Sequence, residues 1–148
     1  MKIDLRAVRH SDLATFFDHQ RDAEAAAMAG FTPRSRTAFD DHWRRIIAEP
    51  QNVVMTVEVD DAVAGYVSAF PQADRQEIAH WFGRAYWHRG IGQAAVAQFL
   101  TLHRRRPIFG TIVRSNAASG AILRKCGFIP FGQDTGPDGE PEEVFRLD

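Results

Sequence analysis

The sequence predicts an α/β fold in which one mixed sheet carries helices on its faces. Three observations predict it. Segments of two-residue alternation and segments of helical periodicity interleave in the order β-α-α-β-β-β-α-β-α-β-β. Asp60-Asp61 reads as a tight turn joining two β-rich runs into a hairpin. Gly90-Ile91-Gly92 opens an apolar-striped helix directly after a strand.

Ile3, Leu5 and Ala7 alternate with polar residues as a short first strand. Ser11 is placed to cap a helix carrying Leu13, Phe16, Phe17 and His19, which fades near Gly30 ahead of a polar loop at Pro33. Thr37 caps a second helix in this reading, with Phe39, Trp43, Ile46 and Ile47 at helical spacing and Pro50 beyond its end. Val53–Val59 and Val63–Phe70 are the hairpin strands, and Glu77–Phe82 follows a loop at Pro71. Ile91, Ala94, Ala95, Phe99 and Leu102 share one face of a helix from about Gly90 to His103. Pro107 marks its exit, and Ile108–Val113 is again β-rich. Asn116 caps a helix over Ala117–Cys126 that stops at Gly127. Phe128–Phe131 and Val144–Leu147 complete the strands around a Gly/Pro/Asp-rich turn region.

At 148 residues the chain most simply makes one domain, 1–148, long enough for a substantial core. A formal net charge of −1 offers no electrostatic footprint for nucleic acid or an anionic membrane. The single Cys126 excludes an internal disulfide framework and fits a reducing compartment. Met1-Lys2-Ile3-Asp4 lacks the apolar core of a signal peptide, and no run reaches membrane-spanning length, so a cytoplasmic location is expected. His10, His19 and His42 have no metal-ligand spacing, and no metal is expected.

The chemistry concentrates in the glycine turn. The first N–H groups of a helix lack intrahelical partners and carry the positive end of its dipole. Gly90 and Gly92 clear side chains from that terminus, so a phosphate can reach bare backbone, and Arg89 and His88 add charge. A lone G-x-G reads equally as a turn glycine beside a packing glycine, and the pattern is neither a P-loop nor a dinucleotide fingerprint. Asn116 and Ser119 stand one turn apart at the start of the following helix.

Strand, Trp87-His88-Arg89-Gly90-Ile91-Gly92, helix, strand, then Asn116-Ala117-Ala118-Ser119 running to Lys125-Cys126-Gly127-Phe128 resembles the GNAT (GCN5-related N-acetyltransferase) superfamily. The Tyr-Trp-x-Arg-Gly-Ile form is similar to the branch of ribosomal-protein N-terminal acetyltransferases. Trp87 departs from the usual Gln/Arg at its position. The resemblance implies an α/β (α+β) fold whose mixed, mostly antiparallel central sheet has helices on both faces. It implies acetyl-CoA as co-substrate, with Trp81, Phe82 and Gly83 along the pantetheine arm. His88, Arg89, Gly90, Ile91, Gly92, Gln93 and Ala94 would hold the pyrophosphate, and Asn116 would lie near the thioester.

Acetyl transfer requires a proton to leave the amine, a polarised carbonyl and a protonated or hydrogen-bonded thiolate. Glu77, acting through water, is the candidate base, with His80 on the opposite strand face if the strand has no bulge. The tyrosine that many members carry four residues before Gly-Phe is replaced by Leu123, leaving Ser119 as the hydroxyl near the sulfur. Phe31 and His19, on the N-terminal helical region that walls the acceptor pocket in such proteins, are the candidate substrate contacts. His103-Arg104-Arg105-Arg106 could meet the ribose phosphate, although such a run is also a dipole-favoured helix end.

The expected function is transfer of acetyl from acetyl-CoA to a primary amine of a small molecule or protein N-terminus by direct attack. The resemblance admits a homodimer. A non-catalytic acyl-CoA-binding module is the alternative.

Overall fold

The computed structural model describes residues 1–148. Seven strands and five α-helices follow in the order β1 (Ile3–Ala7), α1 (Asp12–Gln20), α2 (Ala23–Ala29), α3 (Arg36–Ala48), β2 (Val53–Val59), β3 (Ala62–Gln72), β4 (Arg75–Phe82), α4 (Ile91–Leu102), β5 (Ile108–Val113), α5 (Ala117–Lys125), β6 (Ile129–Thr135) and β7 (Pro141–Leu147). They form one sheet in the order β1-β2-β3-β4-β5-β7-β6, antiparallel throughout except between β4 and β5. The mixed, mostly antiparallel expectation therefore holds. No helix is long and apolar enough to cross a membrane.

Where the structure differs from the sequence reading, backbone capping is usually the reason. The expected first helix is two: Asp22 leaves helical geometry (ψ 118°) and its carboxylate accepts from Glu24 and Ala25 N–H, starting α2 afresh. Gly30 ends α2 in the left-handed region (φ 68°), where a Cβ would also stand 2.6 Å from Val113 Cγ2. Ser35 rather than Thr37 caps α3, its hydroxyl accepting from Ala38 N–H at 3.2 Å. Ser11 precedes α1 but makes no capping bond. Asp60 and Asp61 both take positive φ (49° and 70°), as a two-residue hairpin turn of type I′ requires. Pro71 is not in a loop; it pairs with Gln76 near the end of β3, and the turn falls at Ala73-Asp74. Ile47 and Leu102, expected on buried faces, are exposed.

The helices cover both faces. On one side α4 and α5 enclose the larger core, where Val96, Phe99, Ile108, Leu123 and Phe145 are essentially inaccessible. On the other, Leu13, Phe16, Phe39 and Trp43 clamp α1 and α3, with Tyr66 of β3 edge-on to Trp43. A buried ion pair fastens α1: Arg6 donates to both carboxylate oxygens of Asp12 at 2.8 Å, and Arg9 N–H and the Thr56 hydroxyl also donate to it. Burial alone would raise the Asp12 carboxyl, yet these hydrogen bonds outweigh it and hold it at about 2.

Candidate active site

The parallel pairing of β4 and β5 is confined to Glu77 against Phe109. Beyond it the strands diverge, so from Ala79 onward the β4 main-chain groups that face away from β3 have no ladder partner. An extended molecule can add itself to such an edge as a further strand. Two cavities open on either side of this gap. One, of about 310 Å³, runs from the gap to the N-terminus of α4; the other, of about 330 Å³, lies under α1–α3. His80, Trp81, Asn116 and Ser119 line both, so the two meet there.

The first cavity has an apolar wall at the gap and an uncapped helix N-terminus at its far end. Trp81, Phe82, Tyr86, Trp87 and Ile122 supply apolar wall. Trp87 Nε1 donates to Phe82 O at 3.0 Å, tying the turn to the end of β4; the residue that departs from the family pattern thus stiffens the entrance. At the far end, left-handed backbone at His88 (φ 60°) and Gly90 (φ 76°) bends the chain into α4. The first helical bond runs from Ala94 N–H to Gly90 O, so the N–H groups of Ile91, Gly92 and Gln93 have no helical acceptor, and no side chain caps them. No atom lies within 4 Å of the place a Gly90 Cβ would take, whereas one on Gly92 would approach Ile122 Cδ1 to 2.8 Å. Gly90 keeps the approach open and Gly92 lets α4 and α5 pack. Lys125, given no site role in the sequence reading, adds a cation to this lining.

Asn116 commits only one end of its side-chain amide. Its Oδ1 accepts from Ser119 N–H at 3.2 Å as the cap of α5, while its Nδ2 makes no hydrogen bond within the chain. The Ser119 hydroxyl is likewise uncommitted at the junction of the cavities. His80 shares the strand face of Ile78 and Phe82, and burial lowers its imidazole to about 4, so it is neutral at physiological pH. β4 pairs with β3 in unbroken register, so no bulge re-aims it.

The other expected residues fall in two groups. Trp81, Phe82, His88, Gly90, Ile91, Gly92, Gln93, Asn116 and Ser119 line the first cavity, and Phe31 lines the second. Gly83, Arg89, Ala94, Glu77 and His19 line neither. Gly83 backs onto the His19 ring, and the His19 carbonyl accepts from Trp81 Nε1, so His19 supports the wall from behind. The Arg89 side chain lies over Tyr86 and reaches Ala85 O, and Ala94 N–H belongs to the helix. Glu77 is buried where β4 and β5 still pair, its carboxylate 2.7 Å from Arg75 Nε. The carboxylate that does line the second cavity is Glu142 of β7, raised by burial and by Asp134, Glu140 and Glu77 nearby. Leu123, in the place of the usual tyrosine, is buried. The His103–Arg106 run is at the opposite end of α4, where Arg106 donates to Leu100 O and His103 O and His103 meets Gln76 at 2.8 Å. No cluster of three or more metal-ligating side chains occurs.

A family model described as the acetyltransferase (GNAT) domain matches residues 2–129. The chain belongs to the GNAT acetyltransferase family. It is thereby an acetyl-CoA-dependent N-acetyltransferase. No curated protein matches it by sequence. Among solved structures, aminoglycoside acetyltransferase AAC(6')-Ib in complex with coenzyme A superposes at a TM-score of 0.80 and 16% identity, over 99% of this chain and 94% of that one. Spermidine N-acetyltransferase from Vibrio cholerae, with CoA and spermine, gives 0.79 at 16% identity, over 97% and 92%. RimL, a ribosomal L7/L12 alpha-N-protein acetyltransferase with coenzyme A, gives 0.83 at 16% identity, over 98% and 93%. At such identities these likenesses establish the fold of the GNAT chain and nothing of its acceptor.

Proposed function

We propose that this GNAT enzyme holds acetyl-CoA in the β4–β5 gap and first cavity, and acetylates a primary amine bound in the second by direct attack. The observation that carries the reading is the meeting of the two cavities at His80, Trp81, Asn116 and Ser119, beside the unpaired edge of β4. Acetyl-CoA supplies an activated thioester carbonyl. The residues fit it: the α4 N-terminus offers the N–H groups of Ile91, Gly92 and Gln93 to a diphosphate, and β4 offers main-chain partners to an amide-bearing arm. A β4 N–H facing the gap polarises the carbonyl oxygen. Asn116 Nδ2 and the Ser119 hydroxyl supply hydrogen bonds at the reacting end, Ser119 stabilising the departing sulfur by hydrogen bonding.

The amine must arrive neutral or lose its proton as the new bond forms. Glu142 is the carboxylate exposed to the acceptor cavity, and its raised pKa suits it to take that proton through water. Glu77, paired to Arg75, acts electrostatically on Glu142 in this reading rather than as the base itself. The acceptor is a small-molecule amine or a protein N-terminus, and a cytoplasmic setting, where acetyl-CoA is pooled, accords with the single free thiol. Thiol release from acetyl-CoA across a panel of primary amines tests the proposal. Turnover that disappears in Ser119→Ala combined with Asn116→Ala, with the protein still folded, is the expected result. Acetyl-CoA binding without turnover of any amine would leave a non-catalytic module instead.

A further inference from the structure

The proposal below rests on the second cavity being the acceptor site. Its two walls carry opposite charge. Arg34, in the connection between α2 and α3, is the one lysine or arginine lining it, and Glu142 the one carboxylate. Arg34 makes no ion pair and no hydrogen bond within the chain, although its guanidinium is held over the Phe31 ring at 5.1 Å. A guanidinium positioned by an aromatic face and left without an anion is a ready partner for a planar carboxylate.

The neighbouring polar groups agree. Tyr66 hydroxyl accepts from Gln20 Nε2 at 3.2 Å, so its own hydrogen is free to be donated. Burial pushes that phenol to about 12, which keeps it protonated. Gln20 is only 7% exposed and lines the cavity, yet its Oε1 has no partner. A buried acceptor of this kind calls for a donor from a ligand. Tyr66 is on β3, with Gln20 bonded to it and Arg34 close enough to act on its phenol, whereas Glu142 is on β7. Three strand steps separate β3 from β7, roughly 15 Å at the backbone, with the β4–β5 gap between them. A reacting amine at that gap therefore has a cation toward one side and an anion toward the other.

We propose that the acceptor is an amine carrying a carboxylate a few bonds from the reacting nitrogen, the amino-acid class. Arg34 and the Tyr66 hydroxyl bind the carboxylate, Gln20 Oε1 accepts a substrate N–H, and Glu142 faces the ammonium. A cavity of about 330 Å³ admits a single amino acid or a very short peptide.

The test is acetylation of the common L-amino acids beside their C-terminal amides and their decarboxylated amines, read as kcat/KM. The best acid is expected to exceed its amide and its decarboxylated amine by about 10- to 100-fold, the size of a charge-assisted contact. Arg34→Ala is expected to erase that ratio chiefly through KM, and Arg34→Lys to keep part of it. Tyr66→Phe is expected to reduce it several-fold. Calorimetric binding of acetyl-CoA in the same samples separates this idea from the reading beneath it. Loss of acetyl-CoA binding by the wild-type protein would sink both. Intact binding with acids used no better than amides, or with an unchanged ratio in Arg34→Ala, would overturn the carboxylate subsite alone.

Discussion

Replacing Asn116 separates its two uses. In Asn116→Ala the bond from Ser119 N–H to Oδ1 disappears, along with the uncommitted Nδ2 donor. Loss of such a helix cap costs about 1 kcal/mol. For a chain of this size that is about 2–4 °C in Tm. Loss of one neutral hydrogen bond to acetyl-CoA removes a further ~1 kcal/mol of binding, about fivefold in affinity. Asn116→Asp keeps the cap and sets a negative charge at a helix N-terminus, worth about 0.3–1 kcal/mol in its favour. Its Tm should equal or exceed that of the parent. The same change removes the amide donor and introduces a charge beside the thioester end, so affinity for acetyl-CoA should fall more than in the alanine variant. Thermal unfolding without ligand and calorimetric titration with acetyl-CoA read the two effects independently. An aspartate variant that binds acetyl-CoA like the parent would refute a ligand-facing role for Nδ2. Equal destabilisation of both variants would refute the capping role.

Asp12→Ala removes the carboxylate that Arg6 holds with two hydrogen bonds, leaving it Glu58 alone, and should cost about 3 kcal/mol by denaturant unfolding, as breaking a buried pair does. The intact pair also sets an acid limit. A carboxyl held at about 2 against an ordinary 3.8 contributes about 2 kcal/mol at neutral pH; because the folded value is the lower, this is present above pH ~4 and lost as pH falls toward 2. An acid-unfolding profile unchanged in Asp12→Asn would contradict it. Gly90→Ala forces a side chain into a left-handed position (φ 76°), costing about 1 kcal/mol, and puts a methyl where backbone faces the diphosphate, so acetyl-CoA affinity should drop more than stability. Glu142→Gln should lower kcat most near neutral pH, whereas Glu77→Gln should leave kcat within about threefold and act mainly on the Arg75 contact. A hundredfold loss in Glu77→Gln alone would return the base to β4.

Much of the proposed donor half of the site is legible in the sequence because it is local. A phosphate cradle needs glycines and a helix start within a few residues of one another, and Gly90-Ile91-Gly92 states both. The Asn116 cap and its hydroxyl one turn on are equally local. The split of α1 from α2 escaped notice because Asp22 looks like any exposed acid until the backbone turns at it. Glu77 passed every test of parity, but parity says which face a side chain takes, not that Arg75 two residues away will bind it.

By itself, the sequence determined the order of elements apart from the break between α1 and α2, the helices on both faces and the glycine turn with its following Asn116 and Ser119. These depend on periodicity and on short-range backbone chemistry, which neighbouring residues encode. Only the tertiary structure decided where β4 and β5 part, that Phe31 lines the second cavity while His19 backs onto Gly83, and that Arg34 and Glu142 line one cavity. Those relations join residues far apart in the chain, Arg34 and Glu142 by more than a hundred positions. Packing of α1–α3 onto the sheet sets them, and no spacing along the chain records it.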